Sequence, residues 1–242
     1  MAYFDKKDYY KAGMLLEELM PLLKGTEKAE KAQYYYGYCQ FYEKQYPLAS
    51  FYFKTFDETY PRSEYAEDAA YMEGLSLFED SPNFNLDQES TKEAERIIQT
   101  FLNRFSESSK KEDCNYMIEK LRSKLEQKSY DIAKLYYRKG DYQAAIIALD
   151  NYRKDFPESK EVEETWRLRV SSAYLLAKAS IAAKQEERYR QVLSLYEAFI
   201  DRYPESKKVK DVEPYYAAAL DWLKDKKGKT ETPAAEDQSA LR

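Results

Sequence analysis

The hydrophobic pattern of this chain is written in repeating blocks. A small residue and a large apolar one stand four apart in each: Ala12 and Leu16, Ala49 and Phe53, Ala94 and Ile98, Ala145 and Leu149, Val192 and Tyr196. Residues four apart share one face of an α-helix, so each pair marks a helix that presents an apolar stripe. Tyr9, Tyr46, Tyr142 and Tyr189 precede four of the small residues by three positions, on the same stripe. Upstream, Tyr34 and Gly37, Tyr71 and Gly74, Tyr130 and Ala133, and Tyr174 and Ala177 mark a second helix per block. Its Gly or Ala lets a neighbouring helix approach closely.

Between blocks the polar segments repeat as well. TYPRSEYAED, RFSESSKKED, DFPESKEVEE and RYPESKKVKD, at 59–68, 104–113, 155–164 and 202–211, are variants of one turn. Proline cannot continue a helix, and the following serine can accept a hydrogen bond from the free N–H groups that open the next one. No copy carries Glu or Gln three residues after that serine, so a full capping box is absent. A small residue, a large one four later and then a proline make up the second half of the tetratricopeptide (TPR) pattern. The prediction is an all-α, TPR-type superhelical solenoid of about five helix-turn-helix units. Successive turns lie 45, 51 and 47 residues apart, against about 34 in a standard unit. The excess falls in a loop-like insertion, EDSPNFNLDQEST, and in long helical runs over 111–137 and 162–184.

The first unit has its second helix, near 8–23, but almost no first helix, which leaves an apolar face uncovered. It is read as truncated, or as part of a chain that starts earlier. Residues 214–224 read as a closing helix, and the polar stretch 225–242 as a disordered tail. The solenoid domain is accordingly placed at 3–224.

Composition narrows the chemistry. The 242 residues include 25 Tyr but only 6 Gly and 8 Pro, with 34% charged residues and a net charge of −5. Interleaved acids and bases are a solvated helical surface rather than a nucleic-acid footprint. Histidine is absent, which removes imidazole bases and histidine zinc sites; no glycine-rich phosphate loop occurs. Adjacent acids such as Glu163 and Glu164 point in different directions on a helix and suit solvation better than acid–base work. Cys39 and Cys114 have no metal or disulfide spacing and read as small buried side chains. No catalytic residue, metal or cofactor is expected. No run of about 18 apolar residues could cross a bilayer, and the opening MAYFDKKDYY is no signal peptide. The chain is therefore cytosolic or has had an export signal removed.

A TPR array offers a groove lined by the first helix of each unit. Tyr34, Tyr38 and Phe41, then Tyr71 and Phe78, are the candidate peptide-binding residues, with Tyr130, Tyr137 and Tyr174 continuing the stripe. Tyrosine brings apolar area with a polar tip, and partial exposure is expected in the second and third units.

Two stretches go beyond the generic repeat. YDIAKLYYRKGDYQAAIIALDNYRKDFPES (130–159) and YPRSEYAEDAAYMEGLSLFEDSPNFNLDQESTKEAERIIQTF (60–101) resemble the BamD family of outer-membrane assembly lipoproteins over about 3–224. The resemblance implies a lipid-anchored protein at the periplasmic face of the outer membrane, in the β-barrel assembly (BAM) complex. Its N-terminal repeats would take signal segments of unfolded β-barrel clients. Its C-terminal repeats, here with Tyr137, Arg138, Tyr174 and Lys178, would dock the POTRA domains of a BamA-like barrel protein; other BAM lipoproteins are possible partners. The lipobox cysteine is absent from this chain, and Ala148 stands where the family often has an arginine assigned to BamA contact. A CpoB-like regulator of envelope and peptidoglycan coordination is the alternative, although no trimerising coiled coil is visible. A cochaperone gripping peptide carboxylates would need a basic clamp, whereas Lys31, Lys134, Arg138 and Lys178 are scattered.

Overall fold

The computed structural model describes residues 2–230, with side chains to 227. The described residues form α-helices only: α1 (Ala2–Asp5), α2 (Tyr9–Leu23), α3 (Glu27–Tyr42), α4 (Tyr46–Thr59), α5 (Ala66–Asp80), α6 (Glu89–Arg104), α7 (Lys111–Lys139), α8 (Tyr142–Asp155), α9 (Val162–Lys178), α10 (Ala182–Arg202) and α11 (Val209–Thr230). They fall into two compact units, Met1–Gln127 and Lys128–Arg242, and α7 contributes its first part to one and its second part to the other.

Within each unit, helices pack on their neighbours in sequence. In unit one α2 packs on α3, α3 on α4, α4 on α5 and α5 on α6; in unit two α8 packs on α9, α9 on α10 and α10 on α11. This is the all-α, TPR-type arrangement that the periodicity predicts. The repeated small and large residues form the cores: Ala49, Phe53, Ala94 and Ile98 in unit one, and Ala145, Leu149 and Val192 in unit two, are all buried. Gly37 and Gly74 have the close-approach role expected of them. A Cβ on Gly37 would stand 2.9 Å from the buried Phe53 ring, and one on Gly74 2.9 Å from Ile98.

Two kinds of turn alternate. Inside three of the pairs, the first helix ends in a left-handed residue: Lys7 after α1, Lys44 after α3 and Gly140 after α7 have φ of 61°, 60° and 80°, whereas α5 and α9 end without one. The next amide closes a six-residue ring to the helix, as in Gln45 N–H to Gln40 O and Asp141 N–H to Tyr136 O, the Schellman arrangement. Asp8 N–H to Tyr3 O gives α1 the same ending, so this single turn stands where the first helix of a pair belongs. On α2, Leu15, Leu19 and Leu22 are exposed.

Between pairs, the serine turns do more than cap. Ser63, Ser108, Ser159 and Ser206 each accept the N–H two residues on, from Tyr65, Lys110, Glu161 and Lys208, at 3.0–3.1 Å. That amide belongs to the residue just before the new helix, ahead of the N2 and N3 amides that a standard N-cap bond serves. The same hydroxyl then donates backwards. Ser63 reaches Glu30 of α3, Ser108 reaches Glu67 of α5 at 2.6 Å, and Ser206 reaches Glu163 of α9. At Ser159 the partner is Tyr152 of α8, at 2.5 Å.

The insertion 81–88 is an ordered loop. Buried Gln88 donates to the carbonyls of Asn83, Leu86 and Asp87, and accepts from Thr91. At the other end the tail boundary shifts. α11 continues past residue 224 to Thr230, helped by Lys226, which pairs with Glu186 of α10 at 2.9 Å. The rest of the expected tail, 231–242, lies outside the described residues.

RFSESSKKED holds an internal control, because Ser106 is exposed and contacts only its neighbour Glu107. Ser108→Ala is expected to lower unfolding stability by about 1–3 kcal/mol, the range for a hydrogen bond to a charged group. Ser106→Ala should stay within about 0.5 kcal/mol. Urea denaturation of the two variants side by side checks this.

Candidate functional site

In unit one the predicted aromatic stripe lies on α3 and α5, but it does not face outward as expected. Tyr34 and Tyr71 are each only 9% exposed, which corrects the expectation of partial exposure for these two rings. Tyr34 packs against Phe53 and Phe56 of α4 and stacks on Tyr65 at 4.5 Å. Tyr71 meets Phe101 of α6 edge-on at 5.9 Å. The physical reason is area. The helix following each of these needs a large apolar partner opposite its Phe or Ile, and tyrosine supplies one; the Tyr34 hydroxyl also finds a polar anchor.

That anchor is Asp68 of α5, which sequence reasoning missed. Tyr34 donates to Asp68 Oδ2 at 2.7 Å, and Tyr38 donates to the same oxygen. Two phenols thus tie α3 to α5 through one carboxylate. Burial first, then the adjoining carboxylate, pushes the Tyr38 phenol far above the ordinary tyrosine range; burial likewise raises Tyr34. Neither can ionise near neutrality. Tyr38, Phe41 and Phe78 are half-buried against the core, and the ammonium of Lys124 lies 6.0 Å from the Phe78 ring centroid.

The rings that do reach the surface gather at the other end of α3. Phe4 of α1 meets Tyr9 at 5.3 Å and Tyr35 at 4.9 Å, while Tyr9 stacks on Tyr42 at 4.3 Å. Tyr38 continues the cluster towards Asp68, 6.0 Å from Tyr42. Beside it a cleft of about 390 Å³ is lined by Tyr10, Met14, Gln40 and Leu48. In YYYGYCQFY every face of the helix carries a ring, so spacing alone does not separate the outward ones from the inward ones.

Cys39 and Cys114 are buried, as expected, and burial pushes both thiols up to about 11. Glu73 of α5 is the one strongly raised carboxylate among the described residues. Burial against α4 lifts it to about 7, partly offset by Lys54 and Arg96.

In unit two, Tyr174 is half-buried, stacked on Tyr215 of α11 at 4.7 Å and edge-on to Tyr189 at 6.2 Å. Tyr137 is half-buried near Tyr142, and burial raises its phenol. Tyr130 is buried, its ring capped by Lys134 at 4.8 Å. Arg138 and Lys178 are exposed. Tyr137 and Tyr174 thus share Tyr215 as a neighbour, while Arg138 and Lys178 are exposed on α7 and α9. Apolar side chains are exposed here as well: Ile132 and Tyr136 of α7 and Ile147 of α8, by 39%, 38% and 53%. They line a cleft of about 450 Å³ together with Ala144, Ala148 and Asn151.

Glu73 generates a pH prediction. With a folded value near 7 against an ordinary 4.5, the folded chain holds a proton that the unfolded chain releases between these limits. Stability should then fall as pH rises from about 5 to 8. Glu73→Gln should flatten that fall and be the more stable protein at pH 8, by about 1–3 kcal/mol. Urea midpoints at the two pH values measure both.

Within the described residues no helix is long and apolar enough to cross a membrane, and no group of His, Cys, Asp or Glu is arranged to hold a metal ion. No curated protein matches the chain. The family model described as "YfiO: Outer membrane lipoprotein" matches residues 2–188, a stretch that takes in all of unit one and the first helices of unit two. Paired helices, serine turns and this match together show that the chain belongs to the YfiO family, the BamD family of outer membrane lipoproteins, whose place is the periplasmic face of the outer membrane.

Proposed function

We propose that the protein is a non-catalytic scaffold of the outer-membrane β-barrel assembly machinery, taking unfolded client segments on unit one and a BamA-like partner's POTRA domains on unit two. The observation that carries this reading is the cleft of α7 and α8, apolar except for Ser129, Asn151 and Asp155 at its wall. Ala148, where the resemblance places partner contact, sits in it, and it is walled by exposed Ile132, Tyr136 and Ile147. Scattered exposed apolar side chains are ordinary on any protein, but three lining one concave patch are a docking feature. An arginine ion pair at this place is replaced here by hydrophobic burial, worth about 25 cal/mol per Å² of apolar area covered. Arg138 and Lys178 supply exposed positive charge on the same unit, which favours encounter with an acidic partner.

For clients, the burial of Tyr34 and Tyr71 moves the contact surface to the edge of Tyr38 with Phe41, Phe78 and the Phe4, Tyr35 and Tyr42 cluster. Rings that already meet edge-to-face accept one more aromatic side chain by the same geometry. Family membership favours this reading over peptidoglycan coordination.

The partner half is tested by calorimetry with purified POTRA domains of the BamA-like protein from the same source. Ile147→Asp places a charge on an exposed position, so the fold is retained, and binding should weaken at least about tenfold, as expected for an interface anchor. Equal affinity for both forms would remove the α7–α8 cleft from the interface.

A further inference from the structure

The opposite face of α8 carries a second cavity, of different chemistry. It measures about 360 Å³ and is bounded by Asp150, Arg153 and Lys154 of α8, Trp166 and Arg169 of α9, and Arg202 at the end of α10. Pro157, Val162 and Tyr203 complete its apolar wall. Four cations thus surround a single carboxylate in a protein whose net charge is −5.

The guanidiniums are held in place. Arg153 lies 3.6 Å above the Trp166 ring, and Trp166 in turn stacks on Phe199 at 6.2 Å. Arg169 donates from Nη2 to Asp150 Oδ2 at 3.0 Å, while its Nε lies 2.7 Å from Oδ1 as an ion pair but has no hydrogen-bond partner. Arg153 Nη1 is 3.3 Å from the same carboxylate. Arg153 and Arg169 side chains are only 21% and 17% exposed, so both have lost most of their water. The acids just along α9 are committed elsewhere: Glu163 accepts from Ser206, and Glu164 pairs with Arg167 and Lys208.

One carboxylate does not neutralise four neighbouring cations. Desolvation, and then Arg169 at close range, hold the Arg153 guanidinium below its ordinary value. The geometry points to a binding site for an acidic peptide segment, in which a glutamate or aspartate carboxylate enters between Arg153 and Arg202 while its stem lies along Trp166 and Tyr203. Asp150, paired with both Arg153 and Arg169, shows that a carboxylate fits among these guanidiniums, and the Nε of Arg169 is left buried without a hydrogen-bond partner. An apolar wall beside the cations suits a side chain with a hydrocarbon stem rather than a free inorganic ion. This site lies apart from the α7–α8 cleft, and its reading stands whether or not POTRA domains dock there.

The test uses the full chain and calorimetric titration with a short peptide of alternating Glu and Ser, against the same peptide with Gln for each Glu. The Glu peptide should bind, and the Gln peptide should bind at least about tenfold more weakly. Arg202→Gln, at an exposed position that leaves the core untouched, and Arg153→Gln should each weaken the Glu peptide several-fold. Asp150→Asn removes the internal competitor and should tighten it. Circular dichroism establishes that each variant is folded. Equal binding of both peptides, an Asp150→Asn variant that binds no tighter, or displacement by inorganic phosphate at concentrations matching the peptide would overturn the assignment.

Discussion

The whole repeat turns on one hydroxyl. A helix pair can stack on the next only if the chain reverses within a few residues and arrives at a fixed angle. Proline, where present, stops the outgoing helix, but it fixes no angle for the incoming one. The serine two places on does so, by accepting the amide at the foot of the new helix while bonding back to the previous pair, at three of the four turns to a glutamate in its first turn and at Ser159 to Tyr152. Three segments are thereby joined at one oxygen. RFSESSKKED shows which part of the motif is indispensable: it lacks the proline, keeps Ser108, and makes the same turn with the same bond to Glu67. The glutamate brings a second benefit, since a negative side chain in the first turn offsets the positive end of the helix dipole.

Much of this was legible from residue spacing. Small and large residues four apart set the buried face, and Gly37 and Gly74 announced a close approach that the structure places against Phe53 and Ile98. The serines declared the turns, although their backward bonds were not legible, because Glu30, Glu67 and Glu163 lie 33 to 43 residues away and follow no fixed spacing from them. The length of α11 was missed for a simpler reason: low apolar content was read as disorder, whereas a helix can continue on charge pairing and a cation over Trp222.

The candidate site was less legible than the fold. Tyrosine is ambiguous by construction, having a ring that prefers the interior and a hydroxyl that prefers water. Which preference wins depends on whether a polar partner waits inside. For Tyr34 and Tyr38 that partner is Asp68, on a different helix and 34 and 30 residues further on. A sequence pattern confined to one helix contains no sign of it. The same limit hid the basic cavity, whose residues come from three helices and look, in linear order, like ordinary alternating surface charge.

The sharing of Asp68 bears on how unit one could recognise anything. Two phenols on one carboxylate oxygen leave little freedom for α3 to shift along α5 without breaking charge-assisted bonds in a half-dry setting, where each is stronger than in water. A segment binding here meets helices already braced, so little binding energy goes into ordering them. The cost of that rigidity is surface: rings used as braces are withdrawn from contact. In the proposed role, recognition falls to the aromatic edge left outside the brace, at Phe4, Tyr35 and Tyr42. The role proposed for unit one, taking unfolded client segments, is compatible with that combination of a firm frame and an aromatic rim.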